Sequence, residues 1–231
     1  MLTKTGYQTI KNIVMDRIRD NTWPPGTLLP GEIELAEEFQ CARATVNRAM
    51  RELAEEGIID RKRKSGTRVK AAPTRNAKFA ISVIREEIES TGAAYRYSLL
   101  NRKTQKAPDW LRGRLGLLEN ADVLHLQCMH YANGRPFQYE NRWINLATVP
   151  AAAQESFQTL GPNEWLLNQV PFSDGELTFA ATNASDAIAS VLNVSSGEAA
   201  FTAERTTWLA NEPVTFAQMY FHPGYRLTTR I

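Results

Sequence analysis

Between Cys41 and Val69 the chain runs CARATVNRAMRELAEEGIIDRKRKSGTRV, and its side chains have the chemistry of nucleic-acid contact. Asn47 can address a base edge and Arg43 can pair bidentately with guanine, whereas Arg48, Arg51 and the basic run Arg61, Lys62, Arg63 and Lys64 suit phosphate oxygens. The acids Glu52, Glu55 and Glu56 follow at the far end of the same run, where they would repel phosphate. Only the leading end of such an element can approach a polyanion.

The elements that must position these residues follow from spacing. Val46, Ala49, Met50 and Leu53 recur at i, i+3, i+4 and i+7, an inward helical stripe that leaves Arg43, Asn47, Arg48 and Arg51 outside, and Gly57 is placed to end the helix. Upstream, Tyr7, Ile10, Val14 and Ile18 mark a first helix that must stop before NTWPPG, because prolines there forbid continuation. LLPGEIELAEEF gives a second, opened by Pro30, with acids at its positive end and Leu35 and Phe39 on one face. IIDRKRKSGTRV reads as two short strands around a basic tip. Three helices and a basic hairpin in about 70 residues make a winged helix-turn-helix, whose third helix enters the DNA major groove by its leading end.

Charge is divided in the same way. Of 27 Lys+Arg and 25 Asp+Glu, residues 1–78 hold 15 and 10, net +5, and the remainder 12 and 15, net −3. The N-terminal third suits a polyanion and the rest does not. No apolar run approaches the roughly 20 residues of a membrane span, and the N-terminus lacks a signal-peptide pattern, so a cytoplasmic protein without membrane partners is expected. Cys41 and Cys128, far apart and outside any metal-ligand spacing, argue against a disulfide framework or a zinc site.

KAAPTRNAK has no apolar periodicity, which places a linker at 71–78 between a DNA-binding domain, 1–70, and a second domain, 79–231. In the second, FAISVIREEIESTG is an amphipathic helix, YRYSLLNRKT a strand, and VLHLQCMHYANGRPFQYENRWIN two alternating runs around Asn133-Gly134, a strong hairpin signal. Helices near NEWLLNQV and ASDAIASVLNV precede the strands AAFTAERTTWLA and VTFAQMYFHPG, joined through Asn211 and Pro213. The fold class is α+β, on a mainly antiparallel sheet. Alternation puts Leu124, Leu126, Cys128 and His130 on one face and Gln138, Glu140 and Arg142 on one face across the turn; if the two coincide, a half-polar concavity forms. His125, His130 and His222 make no catalytic constellation, and Trp143 and Trp165 read as core. No GxSxG, Walker loop, GxGxxG or metal cluster is present, so neither an enzyme nor a cofactor is expected.

The segment LLPGEIELAEEFQCARATVNRAMRELAEEGIIDRKRKSGTRV resembles the DNA-binding domain of the GntR family of bacterial repressors, with its pattern LPSE-x-ELA…SRxTV-x-RAL-x-L-x-x-EG-x-I…GxGTxV. TVNRAMREL resembles the branch of histidine-utilisation repressors. On this resemblance Thr45 and Gly66 join Arg43, Asn47, Arg48, Arg51, Arg63 and Lys64 as expected DNA contacts. Ile33 stands where many branches place a contacting Arg, Ala42 where they place a Ser or Thr cap, and Lys64 replaces the first wing glycine.

MHYANGRPFQYENRWINLATVP, WLLNQVPFSDGE, TAERTTWLANEPVT and HPGYRLTTR are similar to the effector-binding UTRA domain of that branch, a chorismate-lyase-like fold used for binding. The resemblance implies a near-palindromic double-stranded DNA operator, a homodimer and a small-molecule effector, which is urocanate in that branch. Cys128 and His130 match positions where sugar-phosphate sensors carry arginines, which argues against a phosphate. Arg96, Tyr97 and Tyr220 are expected to receive a carboxylate or carbonyl, and Glu140 and Glu176 to accept from N–H groups. Phe172 and Leu177 depart from the branch and favour a relative of urocanate. Two other classes stay open, an enzyme of the lyase-like fold with a DNA-binding appendage and a purely architectural DNA binder.

Overall fold

The computed structural model describes residues 6–62, 65–70 and 83–228. The expected contacts Arg63 and Lys64, the linker 71–78 and the predicted start of the following helix at Phe79 lie outside the described residues.

Helices α1 (Tyr7–Arg19), α2 (Glu32–Glu38) and α3 (Arg43–Glu55) pack through Ile10, Val14, Ile18, Leu35, Val46, Ala49, Met50 and Leu53, the residues that spacing had turned inward. Pro30 does not open α2. Gly31 is its cap, and the Glu34 carboxylate reaches back to accept from the Gly31 N–H at 2.7 Å. Strands β1 (Ile59–Lys62) and β2 (Gly66–Val69) pair antiparallel, Lys62 opposite Gly66, and the segment at Thr27 to Leu29 bonds along β2. Gly66 has φ +78 and a Cβ there would meet Leu28 Cδ1 at 2.9 Å, so this turn requires glycine. Lys11 on α1 pairs with Glu52 and Glu56, so two of the trailing acids of α3 tie the helices together.

The C-terminal part is a six-stranded antiparallel sheet of β3 (Tyr95–Lys106), β4 (Asp122–Ala132), β5 (Arg135–Asn145), β6 (Asp174–Asn183), β7 (Ala199–Leu209) and β8 (Glu212–Phe221), in the order β3-β4-β5-β8-β7-β6. Two tight turns set its register: Asn133 and Gly134 at φ +50 and +77, and Ala210 and Asn211 at +49 and +67, both pairs left-handed as such hairpins need. Helix α4 (Ile84–Ser90) begins later than FAISV suggests, because Val83 is extended. Two elements gave no sequence signal, α5 (Asp109–Leu115) and the edge strand β6.

Each face of the sheet has its own cover. On one, α4 packs with Ala203, Met219 and Phe221, while α6 (Pro162–Gln169) and Phe157 cover Leu124, Leu126, Cys128 and Ile144. On the other, α5 covers Val123, Trp143 and Phe216, and α7 (Asp186–Leu192) covers Met129 and Tyr139. Among the described residues no helix is long and apolar enough to cross a membrane.

Leu53 is fully buried where α1, α2 and α3 meet. Leu53→Ala is expected to cost about 2–5 kcal/mol through the cavity it leaves, seen as a lowered thermal unfolding midpoint accompanied by loss of DNA binding.

Candidate effector pocket and DNA-reading face

The face expected to read DNA is a concavity of about 910 Å³ between the leading ends of α2 and α3 and the β1–β2 hairpin. Of the residues expected to touch DNA, Arg43, Asn47 and Gly66 line it, together with Arg61 and Lys62. Arg48 and Arg51 do not. Arg48 lies over the Tyr7 ring at 3.7 Å and pairs with Glu52 at 3.5 Å, and Arg51 pairs with Glu55 at 3.7 Å. Both are exposed, and such pairs contribute little and exchange readily for phosphate. Thr45 is half-buried in the first turn of α3. Ala42 provides no cap, so the leading N–H groups of α3 carry no side-chain partner from it. Sequence reasoning missed Glu32, whose carboxylate accepts from Arg43 Nε at 3.2 Å, Asn47 Nδ2 at 2.6 Å and Arg61 Nη2 at 2.5 Å.

In the sheet, strand register decides which side chains meet. Cys128 stands opposite Glu140, Leu126 opposite Arg142 and His130 opposite Gln138, so the two faces of the hairpin do coincide. Onward across the sheet Arg142 faces Ala217, which faces Arg205. Tyr97 joins this face opposite His130. Arg96, Glu176 and Tyr220 sit at the alternate positions and lie on the opposite face. There Arg96 covers the Tyr131 ring at 3.6 Å, Glu176 is 4.0 Å from Arg114, and Tyr220 packs by Tyr139. These three therefore cannot share a pocket with Glu140.

Tyr97 and Cys128 are covered rather than open. The Tyr97 hydroxyl donates to the Phe157 carbonyl at 3.0 Å and lies 3.2 Å from Cys128 Sγ, beneath the chain leading to Gly161. Burial pushes the Tyr97 phenol far up and the Cys128 thiol up to about 12. Glu140 lines a cavity of about 80 Å³ with Gln138, Asn163 and Arg205 at its polar end and Leu177, Phe179, Met219 and Phe221 along its apolar wall. Glu87 of α4 and Tyr225 close it. Burial raises the Glu87 carboxyl, opposed by a hydrogen bond with Tyr225. A smaller cavity adjoins it, about 20 Å³, lined by Arg142, Asn163, Phe172, Arg205, Thr207 and Thr215.

At the polar end two buried guanidinium groups lie near one carboxylate, which bonds only the first of them. Arg142 Nε donates to Glu140 Oε1 at 2.6 Å and its Nη1 to Thr215 Oγ1 at 3.2 Å, and Arg205 Nη2 donates to Asn163 Oδ1. Arg142 Nη2 and Arg205 Nε are buried with no hydrogen-bond partner. Burial and then the Arg142 charge pull Arg205 down to about 9, only partly offset by Glu140, so it stays cationic at pH 7. Burial pushes the Glu140 carboxyl up, but Arg142, by charge and hydrogen bond, with His130 and Arg205, outweighs it and the net direction is down. The set carries a net positive charge with free donors, the chemistry of an anion site. Arg205 was the residue that sequence reasoning passed over, and alternation along β7 with its register to Arg142 is the signal that finds it.

His130 completes the cluster from below. The Tyr95 hydroxyl contacts Nδ1 at 2.9 Å, and Nε2 lies 4.0 Å from Glu140 Oε2. A carboxylate favours N–H over a lone pair at that distance, which assigns the neutral proton to Nε2. Helix α6 meets this cluster at Asn163, while its last residue, Gln169, accepts from Asn21 Nδ2 of the N-terminal part at 2.5 Å.

Comparison with known proteins bears on both halves. The model of the bacterial regulatory proteins of the gntR family matches residues 6–69, and that of the UTRA domain matches residues 90–225. The histidine utilization repressor of Pseudomonas putida is 31% identical over 220 residues, 95% of this chain and 88% of its own length. That of Klebsiella aerogenes is 29% identical over 226 residues, 97% and 93%. Among solved structures, the C-terminal domain of the histidine utilization repressor from Pseudomonas syringae pv. tomato has a TM-score of 0.57 at 25% identity, covering 60% of this chain and 99% of that one. PhnF from Mycobacterium smegmatis has a TM-score of 0.60 at 20% identity, covering 96% and 98%, a likeness of fold.

Burial, and secondarily Arg142 and Arg85, lower His130 to about 4 against the pull of Glu140. Its folded value lies below the unfolded value of about 6.5, so the stability of the neutral, buried ring is full above that pH and is lost as pH falls through 4. Relative to His130→Gln, the natural chain should lose on the order of 3 kcal/mol of unfolding free energy between pH 7 and pH 4, measured by denaturant titration across that range. Parallel pH profiles for the two chains would contradict this.

Proposed function

Because this chain belongs to the GntR family of bacterial transcription regulators and its C-terminal part is a UTRA domain, we propose that the arginine pair in that part binds a small carboxylate whose arrival changes DNA binding. Regulators of this family bind DNA operators and, through UTRA, a small-molecule effector, and they are not enzymes, so the lyase alternative falls. The proposal divides the chain into a DNA-reading domain, 1–70, a linker, 71–78, and a sensor, 79–231. Acting on chromosomal DNA, it works in the cytoplasm.

The observation that carries the effector reading is the pair of buried guanidinium groups of Arg142 and Arg205 near a single carboxylate, Glu140, which bonds Arg142, with one N–H on each arginine left without a partner. A ligand carboxylate satisfies both and neutralises the surplus charge. Asn163, Gln138 and Glu140 at the same end suit N–H and ring-nitrogen groups, and the wall of Phe179 and Phe221 suits a planar body. Urocanate or a close relative has this pattern, and similarity to histidine utilization repressors supports it. Leu177 lines the larger cavity and Phe172 the smaller, so both departures from the branch fall on the pocket and favour the relative. Cys128 and His130 carry no arginine clamp, and in this reading Arg142 and Arg205 provide one from other strands. A purely architectural role leaves this cluster without a purpose.

One module of this size reads a short half-site, so the reading includes a homodimer on a near-palindromic operator. Sedimentation at micromolar concentration should give twice the chain mass, and a monomer that binds DNA one-to-one would rule it out.

Arg205→Met separates binding from folding. Removing a poorly compensated buried cation in favour of an apolar chain is often neutral or stabilising, so the unfolding midpoint of the free protein should hold or rise. Urocanate and related imidazole carboxylates should then bind at least tenfold more weakly, by calorimetry, and DNA binding should stop responding to them while operator affinity without effector is retained. Unchanged affinity for a carboxylate that still binds in the sensor would remove Arg205 from the site.

A further inference from the structure

We propose that Glu32 sets the sequence specificity of DNA reading, by holding Arg43 for guanine and by fixing the Asn47 amide in one orientation, with its Oδ1 turned outward. This rests on the reading that α3 enters the major groove by its leading end. Glu32 is the first residue of α2, while its three partners stand on α3 and β1, so one carboxylate joins helix, recognition helix and wing. It is mostly covered, its side chain 19% exposed, whereas that of Arg43 is 67% exposed. All four line the concavity that would receive DNA.

The chemistry follows from donor and acceptor roles. An ionised carboxylate can only accept, so the Asn47 amide must turn its NH₂ toward Glu32, at 2.6 Å, and its Oδ1 away. Bidentate recognition of adenine N6 and N7 needs both ends of an asparagine. With one Nδ2 hydrogen given to Glu32, Oδ1 is placed to accept from an exocyclic amine, cytosine N4 or adenine N6, and the second Nδ2 hydrogen is left to donate to adenine N7. Arg43 is anchored through Nε, at 3.2 Å, which leaves Nη1 and Nη2 as a pair of donors matching guanine O6 and N7. The same carboxylate faces incoming phosphates with the wrong sign, a penalty on every DNA sequence that only correct base contacts offset.

The test is selection of bound duplexes from a random DNA library by the full-length protein, run for the natural chain, Arg43→Ala and Glu32→Gln, with circular dichroism on each. The natural chain should enrich a guanine at one position and a cytosine or adenine at another. Arg43→Ala should lose the guanine alone. Glu32→Gln, retaining shape but not charge, should lose both preferences while binding random DNA at least as tightly as before, so that the ratio of specific to random affinity falls tenfold or more. Should Glu32→Gln fail to fold, Glu32→Asp, which keeps the charge but is one methylene short, should blur both positions. Both preferences intact in the folded variant would overturn the proposal, leaving Glu32 a brace or a uniform brake on affinity. A natural chain that enriches no sequence would sink the reading of α3 itself, which is a different failure.

Discussion

A buried cation needs a partner, and the inner face of the six-stranded sheet buries two guanidinium groups beside one carboxylate. Arg142, fully buried, is held by Glu140 on its own strand and by Thr215 on the next with its Nη2 left unpaired, while Arg205 has Asn163 from α6. That imbalance fixes much else. Glu140 has to stay ionised, which its neighbours ensure by pulling its carboxyl down against burial. His130 has to stay neutral, because a third cation under the same cover would have one carboxylate to share among three. Asn163 has to hold Arg205, which ties the first turn of α6 to the sheet. An arrangement of this kind often stabilises a fold less than an apolar core of the same volume would, and it leaves a surplus of buried positive charge beside unpaired donors.

The DNA-binding half was largely legible because its signals are local. A stripe at 46, 49, 50 and 53 places a helix without knowledge of anything distant, and Gly57 and the prolines at 24 and 25 bound the elements. The Asn133-Gly134 hairpin was legible for the same reason. Strand β6 was not, since as an edge strand most of its residues are exposed and alternation has no buried face to write. Helix α5 is seven residues long with Gly113 inside it, too short for periodicity to show. The pocket was half legible. Alternation within one hairpin correctly grouped Cys128, His130 and Glu140 with Arg142, but Arg96, Glu176 and Tyr220 were assigned without a register to compare, and parity put all three on the opposite face. Across a sheet, a single residue of offset exchanges pocket for surface.

Two carboxylates do corresponding work in the two halves. Glu140 and Glu32 each sit among basic side chains, and each uses both oxygens, so each fixes the orientation of groups that would otherwise rotate freely. Preorganisation of this kind reduces the entropy lost when the partner arrives. The difference is exposure. Glu140 is buried and takes one N–H of Arg142, which leaves one unpaired N–H on each of Arg142 and Arg205. Glu32 borders an open concavity, so its arginine keeps two donors facing outward.

Helix α6 is where these two chemistries meet in the structure. Eight residues rise about 12 Å, enough to carry Asn163 at one end and Gln169 at the other between the arginine cluster and Asn21, in the turn that follows α1. On the proposed reading, a carboxylate at Arg205 would compete with Asn163 at the first turn of the helix whose last residue, Gln169, holds Asn21. Asn21 lies just beyond α1, and Lys11 of α1 pairs with Glu52 and Glu56 of α3, so a run of direct contacts leads from the arginine cluster to the third helix.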